Sequence, residues 1–187
     1  IAALLVGMTK TGIPGLGILV VLFLAWAFDG WNSIGIMLPM LVFADIFAVL
    51  WYKRHANWGI LVRLLPWVAA GMIGGAAALR YFGQSAATKA MVNPVIGGLV
   101  LLMALLHLLE RQFGEKLAPR STAGAAAAGM AAGFATTVSN AAGPIMTMFM
   151  AAQRISKEAF MGTIAWYFFT INLCKVPIYA ANGLFTR

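Results

Sequence analysis

Long apolar runs separated by short polar stretches dominate the chain. A helix that crosses a lipid bilayer needs about 20 largely apolar residues. Six runs reach that length, and no polar stretch between them is long enough to separate soluble domains. The pattern therefore predicts an all-α fold, a polytopic transmembrane helical bundle whose apolar runs are residues 1–28, 33–52, 59–80, 91–109, 120–150 and 158–182.

Two of these runs, the first and the fifth, are too long for one straight crossing, and both are interrupted by glycine, proline and hydroxyl residues. The first is interrupted between Thr9 and Gly17, and the fifth between Thr136 and Pro144. Proline removes a backbone donor, and glycine weakens a helix. Because lipid cannot satisfy freed backbone groups, such breaks are tolerated only inside protein or beside a water-filled cavity. We therefore expect both breaks to lie within the bundle.

The two breaks correspond to each other along the chain. A shift of 126 residues places Thr11 on Thr137 and Gly17 on Gly143. This predicts two internal repeats, each opening with a broken helix, although helices rich in small residues also resemble one another by chance. In transporters, paired broken helices at corresponding positions indicate the binding site.

The predicted repeats divide the chain into three parts. The first repeat covers residues 1–110, a polar connecting loop covers 111–119, and a second repeat, shorter than the first, covers 120–187. Pairs of glycines four residues apart, which let helix backbones approach closely, predict tight helix packing at Gly71 and Gly75 and at Gly129 and Gly133.

Composition supports the membrane interpretation. Charged residues make up 10% of the chain, hydrophobic residues 62%, and the mean hydropathy is +0.89. A soluble domain carries about 25% charged residues, so this chain has too few charges to cover a surface in water. The net charge of +8 comes from Lys and Arg clusters between apolar runs. Such clusters are typical of loops at anionic lipid headgroups, so we expect membrane lipids, and no nucleic acid, as partners.

The same clusters bear on orientation. If each run crosses once, the more basic side is cytoplasmic by the positive-inside rule, and re-entrant segments would reverse the count. On that assumption one side holds Lys53, Arg54, Arg63, Arg111, Lys116 and Arg120, and the other holds Arg80, Lys89, Arg154 and Lys157.

Two lysines lie inside apolar runs, where a charge costs about 2.5–3.5 kcal/mol on insertion scales. Lys10 adjoins the first break, and a cation beside free helix-end N–H groups predicts an anion site. Lys175 lies three residues after Asn172, on the same helix face, and before Pro177, which can open the helix. For both lysines the alternative is a side chain that snorkels to the membrane interface.

The remaining polar residues inside the runs suit an anion or a proton. Thr137, Ser139 and Asn140 at the second break supply hydroxyl and amide groups for anion oxygens, unless they only satisfy the broken backbone. Asp45 lies within the second run, where it can pair with a lysine or carry a proton during transport. Its alternative role is a hydrogen bond between helices that takes no part in turnover.

Other chemistry finds little support in the sequence. The single cysteine, Cys174, lies in an apolar run, and the P-loop motif is absent. The two His and five acidic residues are mostly in loops. We therefore expect no catalytic residue, no metal site and no cofactor.

Several motifs resemble those of one known family. The first break reads Gly12-Ile-Pro-Gly-Leu-Gly17, and the second includes Asn140-Ala-Ala-Gly-Pro144. The last run contains Trp166-Tyr-Phe-Phe169 and Asn172-Leu-Cys-Lys-Val-Pro177. In this order the motifs resemble the sulfite exporter TauE/SafE family of bacterial membrane permeases.

The resemblance implies a secondary transporter, most simply an exporter, of sulfite, organosulfonates or related sulfur anions in the bacterial cytoplasmic (inner) membrane. It also implies two homologous halves of about four spans each, so that the last pair would be lacking among the six visible runs. Such a protein is not an enzyme. An anion channel and an intramembrane enzyme are the alternative functions.

Together these observations predict one anion site near the membrane midplane, formed by both breaks, with Asp45 as a coupling or ion-pair residue and a proton as the possible coupling ion. The predicted substrate-binding residues are Lys10, Thr11, Gly12, Gly15, Gly17, Thr137, Ser139, Asn140, Gly143, Asn172 and Lys175.

Overall fold

The computed structural model describes residues 2–9, 16–113 and 121–185, and within these ranges the chain forms helices and short turns, with no strand. A 3₁₀ turn, Lys53–His55, joins the third and fourth helices. The helices are α1 (Ala2–Thr9), α2 (Leu16–Phe28), α3 (Gly30–Tyr52), α4 (Trp58–Phe82), α5 (Ala86–Ala90), α6 (Val92–Phe113), α7 (Thr122–Ser139), α8 (Gly143–Ala152) and α9 (Lys157–Ala181).

Four of the described segments are long and apolar enough to cross a membrane: Gly30–His55, Trp58–Phe82, Ala86–Leu109 and Lys157–Ala181. Large apolar side chains on the outside of the bundle suit lipid rather than water. Trp26 is 84% exposed and Trp51 is 80% exposed. The predicted polytopic transmembrane bundle is confirmed.

The polar stretches between the apolar runs begin the helices. Asp29, Asn57, Ser121 and Ser156 each precede a helix, and each side chain accepts a hydrogen bond from a backbone N–H in the first turn. Such a cap contributes roughly 1 kcal/mol, because the first N–H groups of a helix have no partner within it. The sequence thus starts α3, α4, α7 and α9 at the edge of an apolar run.

Helices α4 and α7 pack closely through glycines, as predicted. A methyl group added at Gly71 would collide with the backbone carbonyl of Met130, and one added at Gly133 would collide with that of Val68. At Gly75 it would lie 2.7 Å from Cβ of Thr137. The contacts advance in the same direction along both chains, so α4 and α7 run parallel.

Helices α3 and α9 run antiparallel to each other. A Cβ at Gly162, early in α9, would lie 2.8 Å from the carbonyl oxygen of Tyr52, the last residue of α3. A Cβ at Gly35, early in α3, would meet the backbone of Leu184 just beyond α9. This pairing aligns the polar residues in the middle of the two helices.

One end of the bundle carries most of the described cations, and we call it the basic end. It includes Lys53, Arg54 and His55 of the 3₁₀ turn. The backbone N–H of Asn57 donates to Thr163 Oγ1 at 2.9 Å, which places the start of α9 at this end. Arg63 Nη2 donates to Thr122 Oγ1 at 2.8 Å, which places the start of α7 there as well.

Because α7 and α9 both begin at the basic end, residues 121–156 enter the bundle and return. Helices α7 and α8 therefore form a re-entrant hairpin rather than one crossing. The expectation that Arg154 and Lys157 lie opposite Lys53 is wrong, since it counted the fifth run as a single span. Both residues precede or begin α9 at the basic end.

The opposite end is formed by the starts of α3 and α6. The backbone N–H of Gly30 donates to Asn93 Oδ1 at 2.6 Å, and Lys89 Nζ lies 5.2 Å from the centre of a Trp31 ring. Helix α2 ends here at Phe28, whereas α8 ends at the basic end. The internal repeat and the division at residues 111–119 stay predictions, and residues 114–120 lie outside the described ranges.

Candidate functional site

The second break is a three-residue turn inside the bundle. Helix α7 ends at Ser139, and Asn140 adopts the left-handed conformation, with φ of 57°, which asparagine tolerates better than most residues. Its backbone N–H donates to the Thr136 carbonyl at 3.0 Å. Helix α8 begins at Gly143, and Pro144 occupies its first turn. The predicted interruption of the fifth run is confirmed.

Lys175 of α9 reaches this turn. Its side chain is fully buried, and Nζ donates to Asn140 Oδ1 at 2.5 Å, to Thr136 Oγ1 at 3.2 Å and to the Thr136 carbonyl at 3.3 Å. These three oxygens are neutral, so the bonds hold the ammonium without adding negative charge. Lys175 therefore points at the break instead of snorkelling to the interface.

Helix α9 passes through Pro177 and ends at Ala181. The local opening expected beside Lys175 is thus not found. A buried helix in lipid gains by keeping its backbone bonds, and proline is tolerated where neighbouring helices pack around it. The position of Lys175 consequently depends on a continuous helix.

Tyr179 is a further residue at the turn that the sequence reasoning missed. Its hydroxyl, on a fully buried side chain, donates to the Thr137 carbonyl at 2.9 Å and lies 3.4 Å from Asn140 Oδ1. Tyr179 follows Lys175 by four residues, which places both on one helix face. That spacing, together with a polar group in an apolar run, is the signal that could have identified it.

Asn140 also ties the turn to a third helix. Its Nδ2 donates to the carbonyl of Ile34 in α3 at 3.2 Å, while its Oδ1 accepts from α9. The turn between α7 and α8 is therefore held on two sides by side-chain hydrogen bonds. This satisfies polar groups that lipid could not.

The two predicted hydroxyl residues at the end of α7 bond within their own helix. Thr137 Oγ1 donates to the Gly133 carbonyl and Ser139 Oγ to the Ala135 carbonyl, each at 2.8 Å. This is the alternative that the sequence left open, in which hydroxyls satisfy the backbone. An anion needs hydrogen-bond donors, so these two hydroxyls would have to turn away from α7 to bind one.

The start of α8 has open space beside it. A Cβ built at Gly143 meets no atom within 4 Å, and no side chain caps the helix at Ala142. Backbone N–H groups at a helix N-terminus attract anions through their hydrogen-bonding capacity and the helix dipole. Gly143 therefore lies where a small ligand finds both space and donors, three residues from Asn140.

Asp45 and Asn172 form a second polar contact between α3 and α9. Both side chains are buried, and Asn172 Nδ2 donates to Asp45 Oδ2 at 2.5 Å. Asn172 and Lys175 lie on the same face of α9, so this contact adjoins the one at the turn. The hydrogen bond between helices that the sequence allowed for Asp45 is thus present.

Only the flanks of the first break fall within the described ranges. Lys10, Thr11, Gly12 and Gly15 lie outside them, and the predictions for these four residues are untouched by the structure. Gly17 is the second residue of α2, and a Cβ there would lie 4.0 Å from the Thr9 side chain. Helix α1, which precedes the break, packs against α2 and α3.

A comparison with protein families identifies one match, which covers the entire chain. The model of the family described as sulfite exporter TauE/SafE matches residues 1–187. No curated protein and no solved structure matches. The family consists of membrane exporters of sulfite and related sulfur anions, in agreement with the multi-pass bundle and with the motif resemblance. The chain belongs to the sulfite exporter TauE/SafE family.

Proposed function

We propose that this protein is a secondary transporter that exports small sulfur-containing anions, such as sulfite or organosulfonates, across the bacterial cytoplasmic membrane. The observation that carries the proposal is the fully buried ammonium of Lys175 at the turn between α7 and α8. In this proposal the anion binds near the membrane midplane, between the two broken helices.

The chemistry of the turn suits an anion that must bind and then leave. Lys175 supplies one positive charge, and its bonds to Asn140 and Thr136 involve only neutral oxygens. An arriving sulfite or sulfonate oxygen would replace one of these oxygens at the ammonium. Because anion oxygens replace protein oxygens, the Lys175 ammonium keeps its hydrogen bonds throughout the exchange. This lowers the free-energy cost of detaching the ammonium from the turn.

The start of α8 supplies the uncharged part of the proposed site. The N–H groups of its first turn other than Pro144, which has none, and the open space beside Gly143 would receive the remaining anion oxygens. The first break, with Lys10, Thr11, Gly12, Gly15 and Gly17, is proposed to form the opposite wall. Thr137, Ser139 and Asn172 are proposed as residues around the anion rather than as its main donors.

Orientation follows from the charge distribution. With the re-entrant hairpin, the basic end holds Lys53, Arg54, Arg63, Arg154 and Lys157, whereas Arg80 and Lys89 lie toward the opposite end. The positive-inside rule then places the basic end in the cytoplasm. An inside-negative membrane potential favours the exit of an anion, which supports export as the direction.

The proposal is tested by sulfite and sulfoacetate efflux from proteoliposomes containing the purified protein. Lys175→Met keeps the length of the side chain and removes its charge, so efflux should fall about 30-fold or more, in line with the loss of a buried charge contact. Lys89→Met is the matched control, because this exposed lysine lies at the opposite end. It should leave efflux unchanged.

A second variant separates binding from folding. Gly143→Ala adds a methyl group where no atom lies within 4 Å, so thermal stability should be retained while KM rises. Wild-type protein that moves neither anion, or Lys175→Met protein that folds and transports normally, would overturn the proposal. Steady single-channel currents in a planar bilayer would identify an anion channel instead.

A further inference from the structure

In the contact between Asp45 and Asn172, a carboxyl group faces a primary amide. A primary amide presents an N–H and a carbonyl oxygen side by side, and a carboxyl group presents two oxygens. Asn172 Nδ2 donates to Asp45 Oδ2 at 2.5 Å, so the amide N–H already has its acceptor. Asn172 is 1% exposed, and its Oδ1 has no hydrogen-bond partner among the described residues.

A buried amide oxygen without a donor is costly, most of all in a membrane interior. Ionised carboxylate offers it nothing, since it only accepts hydrogen bonds, whereas a protonated carboxyl group has an O–H to donate. One proton on Asp45 would therefore complete a ring of two hydrogen bonds with the amide. It would also remove a charge from the middle of α3, where ionised groups are expensive.

We propose that Asp45 and Asn172 form a proton-binding pair, in which Asp45 takes up one proton from water and donates it in a hydrogen bond to Asn172 Oδ1. Release of the proton leaves the carboxylate with the hydrogen bond from the amide N–H, and the amide oxygen without a donor from Asp45. The pair thus has two states that differ by one charge. The two states need no movement of either helix backbone.

The other titratable groups near α3 are few. Helices α1 and α2 pack against it and contribute none among their described residues, and the groups on the 3₁₀ turn lie at the basic end. Among described side chains on the other elements packed against α3, the titratable ones are His107 on α6 and Lys157, Glu158, Tyr167, Cys174, Lys175 and Tyr179 on α9.

Of these groups, Lys175 links the pair to anion binding, and this step rests on the proposed function. Lys175 lies one helical turn from Asn172 on the same face. When Asp45 is ionised, its negative charge attracts the ammonium and repels an anion. When Asp45 is protonated, the anion meets Lys175 without that competitor. By linkage, anion binding must raise the proton affinity of the pair by the same factor.

Infrared spectroscopy tests the pair without reference to transport. Wild-type protein should show the C=O stretch of a buried, protonated carboxylic acid that exchanges slowly with deuterium. Asp45→Asn should abolish this band while keeping both hydrogen bonds, because its amide imitates the protonated acid. Glu158→Gln, an exposed acid at the basic end, is the matched control and should retain the band. Absence of the band from wild-type protein at every pH tested would refute the proton-binding pair.

Binding of methanesulfonate, whose charge is constant across the working pH range, tests the link to Lys175. Affinity for wild-type protein should fall about tenfold as the pH rises through the titration of the pair, and Asp45→Asn should bind equally well at both ends of that range. A pH dependence that persists in Asp45→Asn would assign it to His55 or His107 and overturn the link. Sodium-dependent affinity that Asp45→Asn abolishes would identify a sodium site and overturn the proton assignment. If wild-type protein binds no anion, the proposed function fails, while the infrared result still decides on the pair.

Discussion

Gly133 on α7 lies so close to α4 that replacing it with alanine should push the two helices apart. The added methyl group would collide with the carbonyl oxygen of Val68 and would lie 3.0 Å from the backbone nitrogen of Met72. Both neighbours belong to the backbone of α4, so no side-chain rotation can relieve the contact. The helices must separate, and the whole α4–α7 interface must adjust with them.

Two opposing effects set the size of the change. Overpacking of a closely packed interface typically costs about 1–3 kcal/mol. Alanine, however, favours a helix interior over glycine by about 0.5–1 kcal/mol. The net expectation for Gly133→Ala is therefore a loss of up to about 2.5 kcal/mol in the free energy of unfolding, toward the upper part of that range because the methyl group meets backbone atoms. Gly97 on α6 isolates the second effect, because a Cβ there meets no atom within 4 Å.

Thermal or denaturant unfolding of the purified variants in detergent measures both changes. Gly133→Ala should unfold at lower temperature than wild type, and Gly97→Ala at equal or higher temperature. If the two variants shift in the same direction by the same amount, close approach of α4 and α7 does not limit stability. The packing argument would then be refuted.

Two further predictions concern topology and the turn at Asn140. In a cysteine-free background, a membrane-impermeant maleimide should label Lys157→Cys and Arg54→Cys from the same side of sealed vesicles. It should label Gln84→Cys from the other side. Labelling of Lys157→Cys from the same side as Gln84→Cys would contradict the re-entrant hairpin. Tyr179→Phe loses its bond to the Thr137 carbonyl and should cost about 1 kcal/mol of unfolding free energy. Tyr167→Phe should be neutral or stabilising in the same measurement, because the buried Tyr167 hydroxyl has no hydrogen-bond partner among the described residues; equal losses would refute the assignment.

The features predicted correctly from the sequence depend on neighbouring residues. Glycines four residues apart identified the close-packing faces of α4 and α7, although not that these two helices meet, and the cluster of small residues before Pro144 identified the second break. In both cases the residues themselves cause the feature: the absence of a side chain at glycine allows close helix packing, and small residues with proline interrupt a helix. The limited number of charges likewise required a lipid-facing surface, which the exposed Trp26 and Trp51 illustrate.

The features that escaped prediction depend on long-range packing. A broken run of about 30 residues can cross the membrane once or enter and return. The long-range contacts of Thr122 with Arg63 and of Thr163 with Asn57 distinguish the two. Similarly, nothing near Asp45 in the sequence identifies Asn172, 127 residues away, as its hydrogen-bond donor. Pro177 misled for the opposite reason, since the neighbouring helices keep α9 intact around it.

The re-entrant hairpin explains why binding and movement would be linked in the proposed transporter. A turn that stops inside the membrane needs polar partners, and the α7–α8 turn receives them from Ile34, Lys175 and Tyr179 on the helices around it. An anion that takes over the ammonium of Lys175 removes one of these attachments and replaces it with its own oxygens. The bonds from Lys175 to the hairpin are then reduced, while Tyr179 still holds α9 to the Thr137 carbonyl, and the anion adds a new connection between the two elements. Substrate binding would thereby favour a different arrangement of α9 and the hairpin, which is the differential contact that a ligand-driven conformational change requires.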